Sequence, residues 1–187
     1  QTEAMSMGDR IVVMSNATVQ QIGTPTEVYY DPSNLFVARF IGSPGMNLVE
    51  GNYADGVLAL PGENRYAVPE AWRPILDQHV ANQQVILGFR PEAATLAANG
   101  ELRAQVYADD LHGAYAMYHL ALDAENPETI VHVRASRDGL AAIGEQVRFN
   151  LEPALVRFFD PASEGALPSP FAATQSASVA LSTIAAS

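Results

Sequence analysis

The spacing of apolar residues changes within one stretch of the chain, from Asn34 to Asn47 (NLFVARFIGSPGMN). Up to Ile41 the apolar side chains recur every three or four residues, which predicts a short amphipathic helix. Gly42 is positioned to end this helix in a left-handed turn, and Pro44 prevents the helix from resuming. Beyond Asn47 apolar and polar positions alternate, which is typical of β-strands. The stretch therefore joins a helical segment to a β-rich one.

Before this stretch, the pattern predicts two strands followed by a helix. Two alternating runs flank Asn16, which favours a left-handed turn between the strands. Residues 24–27 (TPTE) have the pattern of a capping box with proline in the first helical turn, so a helix of about two turns should run to Tyr30. A piece this small cannot bury a core of its own, which indicates that it is the trailing edge of a larger domain.

From Asn47 onward the sequence is dominated by short strands separated by turns. Asp55-Gly56 lies between two alternating runs and is a strong hairpin signal. Residues 69–80 are predicted to be a helix or turn region that Pro74 interrupts. Strands are predicted at residues 47–54, 57–60, 64–68, 85–89, 101–109, 114–122, 129–135, 146–151 and 154–159. This succession of short strands predicts a mainly β fold, either a small barrel or a sandwich.

The amino-acid composition excludes several kinds of site and partner. The 187 residues include no cysteine, which excludes disulfides and thiolate metal sites. All ten basic residues are arginines scattered singly, and 21 acidic residues give a net charge of −11. An acidic chain without a basic patch repels nucleic acid, so no nucleic-acid partner is expected. Residues 168–187 consist mainly of Ser, Ala and Thr, which predicts a disordered, low-complexity tail.

The residues with candidate chemistry are few, and each has a structural alternative. Arg90-Pro91-Glu92 either contacts a regulatory ligand or, as we prefer, fixes a barrel corner, where Arg90 and Glu92 pair with backbone or with each other. His119 and His132 can meet across neighbouring strands, but the histidines lack the spacing of a metal site, so no metal is expected. The junction residues are interpreted as a rigid elbow between domains in preference to a direct contact site: Gly42, Ser43, Pro44, Met46 and Asn47.

Three motif stretches occur in a characteristic order. The first is residues 1–5 (QTEAM) with 9–14 (DRIVVM), the second is residues 21–25 (QIGTP) continuing to residues 34–47, and the third is residues 87–92 (LGFRPE). Phe158-Phe159-Asp160-Pro161 follows near the end. Together they resemble the ATP-binding subunits of bacterial ABC importers for carbohydrates, of the maltose-importer ATPase type, over roughly residues 1–167.

This resemblance implies a C-terminal fragment of such a subunit with two domains. Residues 1–42 would end the nucleotide-binding domain, and residues 43–167 would form an OB-like, transport-associated regulatory barrel. The barrel would pair with a second copy of the subunit and could receive a regulatory protein. The parent subunit would work with membrane permease subunits and a solute-binding protein at the cytoplasmic face of the bacterial inner membrane. Gly42-Ser43-Pro44 with Met46-Asn47 is more similar to the carbohydrate and glycerol-phosphate group than to polyamine importers.

The family's chemistry requires residues that this chain does not contain. A phosphate loop needs a lysine, and the chain has none. The resemblance implies that ATP and Mg²⁺ are cofactors of the parent subunit, and no ATP-binding or catalytic residue is expected here. An alternative function is a small-ligand module, because similar barrels bind oxyanions such as molybdate. Nucleic-acid binding, which the same barrel class performs elsewhere, is a third and less favoured function.

Overall fold

The computed structural model describes residues 3, 8–80, 83–137 and 141–186. The strands in these residues are β1 Ile11–Ser15, β2 Thr18–Gly23, β3 Asn47–Ala54, β4 Val57–Leu60, β5 Asn64–Ala67, β6 Gln84–Phe89, β7 Ala94–Leu96, β8 Leu102–His112, β9 Tyr115–Ala121, β10 Ile130–Ser136, β11 Gln146–Leu151 and β12 Val156–Phe159. The α-helices in the same residues are α1 Pro25–Tyr30, α2 Leu35–Phe40, α3 Arg73–His79 and α4 Ala173–Ala186, with 3-10 helices at Glu70–Trp72, Pro91–Ala93 and Pro153–Leu155. None of the helices in this described part of the chain has the length and apolarity needed to cross a bilayer.

The N-terminal unit, residues 8–41, consists of the β1–β2 hairpin and helices α1 and α2. Asn16 and Ala17 form the hairpin turn with φ values of 49° and 61°, so the left-handed turn predicted at Asn16 is confirmed. The capping box of α1 is also confirmed, because Glu27 N donates to Thr24 Oγ1 (3.3 Å) and Thr24 N donates to Glu27 Oε2 (2.7 Å). The buried cluster of this unit is small: Ile11, Val13, Val28, Val37 and Ile41. A cluster of this size needs support from a larger body.

The barrel, residues 47–159, is that larger body. Over the described residues, its strands form two five-stranded antiparallel sheets with the orders β10-β9-β8-β11-β7 and β12-β6-β3-β4-β5. The two sheets share one hydrophobic core and make a nearly closed barrel, which confirms the mainly β, OB-like fold class. The hairpin turn at Asp55-Gly56 is confirmed by φ values of 50° and 76°. Trp72 is fully buried and packs edge-to-face on Phe158 at a centroid distance of 4.9 Å, so it covers the core.

Two local features of the barrel differ from the sequence-based expectations. Pro74 does not interrupt α3, because it is the second residue of that helix and lies in the first turn, where a backbone N–H has no intrahelical partner. The pattern predicts no strand at Ala94–Leu96, because three residues are too few to show alternation. The structure nevertheless pairs Ala94 with Leu151 and so adds β7 to the edge of a sheet.

The expectation of a disordered tail is wrong for Ala173–Ala186, which form helix α4. Alanine has the highest intrinsic helix propensity, and this segment is rich in it. Packing contributes as well, since Ser176 and Ala180 are both 0% exposed. The small Ser and Ala side chains, which suggested a low-complexity tail, here allow the helix backbone to approach its neighbours closely.

Candidate functional site

The predicted junction residues lie together between α2 and β3. Gly42 has a φ of 108°, and a Cβ atom at this position would lie 2.8 Å from Pro44 O and 2.9 Å from Arg90 Nη1. The Ser43–Pro44 peptide bond is cis. Glycine is therefore required at position 42 both for the left-handed backbone and for the close approach of the Arg90 guanidinium.

Met46 and Asn47 attach the start of β3 to its surroundings. Met46 N donates to Ala38 O (2.9 Å), and the Met46 side chain packs in a buried cluster that includes residues of α2 and of the barrel. Asn47 Nδ2 donates to His132 O (2.8 Å), and Asn47 Oδ1 accepts from His132 N (2.7 Å). The Asn47 side chain thus satisfies both backbone hydrogen-bonding groups of His132, as a paired strand would, and joins β3 to β10 of the other sheet.

Arg90 of the barrel inserts its guanidinium group into the N-terminal unit. The residue is 2% exposed. Arg90 Nε and Nη2 donate to Tyr29 O (3.2 and 2.8 Å), and the guanidinium carbon lies 4.1 Å from the centre of the Tyr29 ring. Arg90 Nη1 donates to Ala38 O (3.3 Å) and to Ile41 O. These carbonyls belong to the last turns of α1 and α2, where the helix dipole places partial negative charge, so a buried cation is well matched to them.

Tyr29 is also held by Glu92. The Tyr29 hydroxyl donates to Glu92 Oε1 (3.0 Å). Burial, followed by the nearby charge of Glu92, raises the pKa of Tyr29, so the hydroxyl remains a donor throughout the physiological range. Burial lowers the pKa of Arg90, while Tyr29 and Glu92 act in the opposite direction. Arginine has so high an ordinary pKa that Arg90 stays charged.

The outcome for the Arg90-Pro91-Glu92 motif is mixed. Arg90 binds backbone carbonyls, as predicted, and Pro91 opens the 3-10 helix Pro91–Ala93 at a barrel corner. The carbonyls belong to the N-terminal unit, however, and Glu92 binds the Tyr29 hydroxyl instead of backbone or Arg90. Sequence spacing gave no indication of these partners, because Tyr29 and Arg90 are 61 residues apart.

Two protein-family models match the barrel in succession. The MalK OB fold domain model matches residues 42–94, and the TOBE domain model matches residues 87–159. The oligosaccharides import ATP-binding protein MsmX of Bacillus subtilis (strain 168) is 34% identical over 172 residues, which cover 88% of this chain and 46% of the relative. The sn-glycerol-3-phosphate import ATP-binding protein UgpC of Ruegeria sp. (strain TM1040) is 36% identical over 163 residues, covering 86% of this chain and 43% of the relative.

The chain belongs to the family of ABC importer ATP-binding subunits. It contains the MalK OB fold and TOBE domains of that family, and it spans about half the length of the curated relatives it matches. A molybdate-bound structure of the cytoplasmic molybdate-binding protein ModG is also similar, with a TM-score of 0.47 and 16% identity over 62% of this chain and 96% of ModG.

Arg157, near the end of the TOBE domain, is the residue that sequence reasoning missed. It is 1% exposed, and its guanidinium contacts three segments. Nη1 donates to the backbone carbonyls of Ala154 (3.1 Å) and Val156 (2.7 Å). Nε donates to Asp31 Oδ1 (3.3 Å) of the N-terminal unit, and Nη2 donates to Ser176 Oγ (2.8 Å) of α4. The sequence does contain one signal for this site, a lone arginine inside the apolar strand β12. A charge buried in such a strand requires partners, so the arginine predicts that polar groups surround it.

Two histidines of the TOBE domain meet across β9 and β10. The ring centroids of His119 and His132 are 4.5 Å apart, and His119 Nε2 lies 2.8 Å from Asp110 Oδ2. Burial, and then the proximity of His119, lower the pKa of His132. Across the described ranges, no group of three or more His, Cys, Asp or Glu residues is arranged to hold a metal ion.

A surface pocket of the TOBE domain bears on the oxyanion alternative. Arg103 and Arg148 are opposite each other across β8 and β11 and line a pocket of about 670 Å³. Arg148 Nη1 already donates to Gly100 O (2.9 Å), and Glu145 contributes a negative charge to the same pocket. A carboxylate in the pocket opposes anion binding. Oxyanion binding stays a prediction.

Proposed function

We propose that this chain is the regulatory and dimerisation part of an ABC importer ATP-binding subunit that energises carbohydrate uptake. The insertion of Arg90 among the carbonyls of the N-terminal unit carries the proposal. Because these polar groups are buried together, separating the two units would break several charge-assisted hydrogen bonds at once. Arg90 therefore joins the N-terminal unit to the barrel, as is required of a domain that holds a pair of ATPase subunits together while their nucleotide-binding parts open and close.

Nucleotide chemistry is proposed to lie elsewhere in the whole subunit. The residues of this chain do not fit Mg-ATP: the sequence has no lysine for a phosphate loop. The buried guanidinium groups of Arg90 and Arg157 are occupied by backbone carbonyls and the Asp31 carboxylate. We therefore assign this chain a coupling role without a catalytic step.

A carbohydrate substrate is supported by the relatives MsmX and UgpC, which are named as import proteins for oligosaccharides and for sn-glycerol 3-phosphate. The partners that follow are a second copy of the subunit, membrane permease subunits, a solute-binding protein and, as a further possibility, a regulatory protein that docks on the barrel. These partners would locate the subunit at the cytoplasmic face of the inner membrane.

Uptake by cells tests the transport function directly. The gene that encodes this chain is disrupted, and uptake of labelled maltose, sn-glycerol 3-phosphate and putrescine is measured. The proposal expects loss of uptake of one of the first two substrates, restored by the intact gene, with putrescine uptake unchanged. Loss of putrescine uptake alone would overturn the carbohydrate assignment.

Calorimetry and sedimentation test the coupling role of the chain itself. Titration with Mg-ATP is expected to give no binding heat, and sedimentation velocity is expected to show weak, reversible self-association. A tight Mg-ATP isotherm would contradict the assignment, and so would a strictly monomeric chain at the highest concentrations.

A further inference from the structure

Helix α4 lies across the boundary between the N-terminal unit and the barrel. It packs against α1 on one side and against the 3-10 helices Pro91–Ala93 and Pro153–Leu155 on the other. We propose that α4 is a detachable strap that fastens the N-terminal unit to the TOBE domain and fixes the angle between them. This proposal concerns only the angle between the two units, so its tests are independent of the tests of the transport function.

The contacts of one buried guanidinium carry this inference. Arg157 binds Asp31 of the N-terminal unit (3.3 Å), the Val156 carbonyl of its own barrel strand (2.7 Å), and Ser176 of α4 (2.8 Å). Ser176 Oγ also donates to Ala154 O (2.9 Å), so the strap is bonded to the barrel twice at the same point. Three segments that are distant in sequence therefore meet at a single cation.

The two sides of this ion pair differ in exposure to water, because the Arg157 side chain is 1% exposed and the Asp31 side chain is 44% exposed. Burial lowers the pKa of Arg157 and raises the pKa of Asp31, while the contact between the two charges opposes both shifts. With α4 in place, the Nη2 donor of Arg157 faces Ser176 instead of solvent. Release of α4 would admit water to the guanidinium side of the pair as well, and hydration weakens ion pairs. The strap thus strengthens the Arg157–Asp31 contact by keeping the Arg157 side dry.

The side chains of α4 make the strap reversible. Its fully buried positions include Ser176 and Ala180, which remove little apolar surface from water, whereas Leu181 is 70% exposed. An isolated helix of 14 residues is only marginally stable in water, so a released strap would also lose its helical structure. Docking and helix formation are therefore coupled, and a small change in conditions is enough to shift the equilibrium.

Adjacent substitutions on α4 provide a matched test in the full chain. Ala180→Glu places a carboxylate at a buried position, and Leu181→Glu places the same group at an exposed position one residue away. Hydrogen exchange is measured for the amides of α1 and α4. Ala180→Glu is expected to raise exchange in both helices by about tenfold or more, and Leu181→Glu is expected to leave both unchanged.

The angle between the units is measured with spin labels, which the absence of native cysteine makes straightforward. Val12→Cys and Tyr107→Cys place labels at exposed positions on the N-terminal unit and the barrel. With the native strap, the proposal expects one narrow distance distribution, which Ala180→Glu broadens. If α4 exchanges freely in Ala180→Glu but the distribution stays narrow, the helix is not a strap. Unchanged exchange in α4 itself would show that it does not dock as described.

A milder pair of variants guards against global unfolding by the buried carboxylate. Ser176→Ala removes the acceptor for Arg157 and keeps the helix, while Ser178→Ala changes an exposed serine two residues along. Ser176→Ala is expected to speed α1 exchange several-fold relative to Ser178→Ala, because a buried cation loses a partner. Equal exchange rates for these two variants would overturn the role of the Arg157–Ser176 contact.

Discussion

Replacing Arg90 with Met removes the cation that joins the two units and keeps a side chain of similar length. The carbonyls of Tyr29 and Ile41 then lose the Arg90 donor, Ala38 O keeps its bond from Met46 N but loses the one from Arg90, and the stacking on the Tyr29 ring is lost as well. Hydrogen bonds from charged donors contribute about 1.5–3 kcal/mol each, and removing one partner of a buried ionic contact costs about 3–5 kcal/mol. We expect the free energy of unfolding of the N-terminal unit to fall by about 3–5 kcal/mol, since local opening hydrates the freed carbonyls and limits the loss.

Urea unfolding with two probes measures this effect. Far-UV circular dichroism follows both units, whereas the fluorescence of Trp72, the single tryptophan and a buried one, follows the barrel. The two transitions should coincide in the native chain and separate in Arg90→Met, with circular dichroism changing at lower urea. Arg65→Met, at an exposed position of β5, is the control and should stay within about 0.5 kcal/mol of the native chain. Coincident, unshifted transitions in Arg90→Met would refute the reasoning.

Three further outcomes are expected from urea titrations. Gly42→Val should destabilise the chain by about 2–3 kcal/mol. Gly113→Val should cost less, because Gly113 also has a positive φ but no atom lies within 4 Å of a Cβ added there. Equal losses of stability in the two variants would show that the close packing around Gly42 is irrelevant. Asn47→Ala should cost about 2 kcal/mol, because two backbone groups of His132 lose their partner, and a loss below that of an average surface substitution would contradict this role. The folded-state pKa of His132 is lowered, so its contribution to stability is present above its ordinary value of 6.5 and is lost as pH falls below it. His132→Gln should therefore flatten the decline in stability between pH 7.5 and 5.5, and a pH profile parallel to that of the native chain would disprove the assignment.

Much of the fold could be predicted because its signals are local. The Asp55-Gly56 hairpin and the capping box at Thr24 depend on residues within four positions of each other, and both are present. Helix α4 was beyond such reasoning. Its small side chains have no hydrophobic period to detect, and its stability comes from packing against segments that are distant in sequence.

The motifs of the site could be predicted from the sequence, but the contacts between them could not, because those contacts are long-range. The motif around Arg90 and the turn at Gly42 can be recognised in the sequence, but their meeting depends on how the N-terminal unit lies on the barrel. Arg157 shows the same limit, because its partners Asp31 and Ser176 are 126 and 19 residues away. A charge in an apolar strand predicts that partners exist, although it does not predict which residues they are.

The central claim is that Arg90 couples the two units for transport, and uptake by cells tests it most directly. Cells with the native gene disrupted receive genes that carry either Arg90→Met or Arg65→Met, and uptake of the labelled substrate is compared at equal protein levels on immunoblots. We predict uptake about tenfold lower with Arg90→Met, a loss within the range of typical coupling energies, and native uptake with Arg65→Met. Equal uptake by the two variants would contradict the claim.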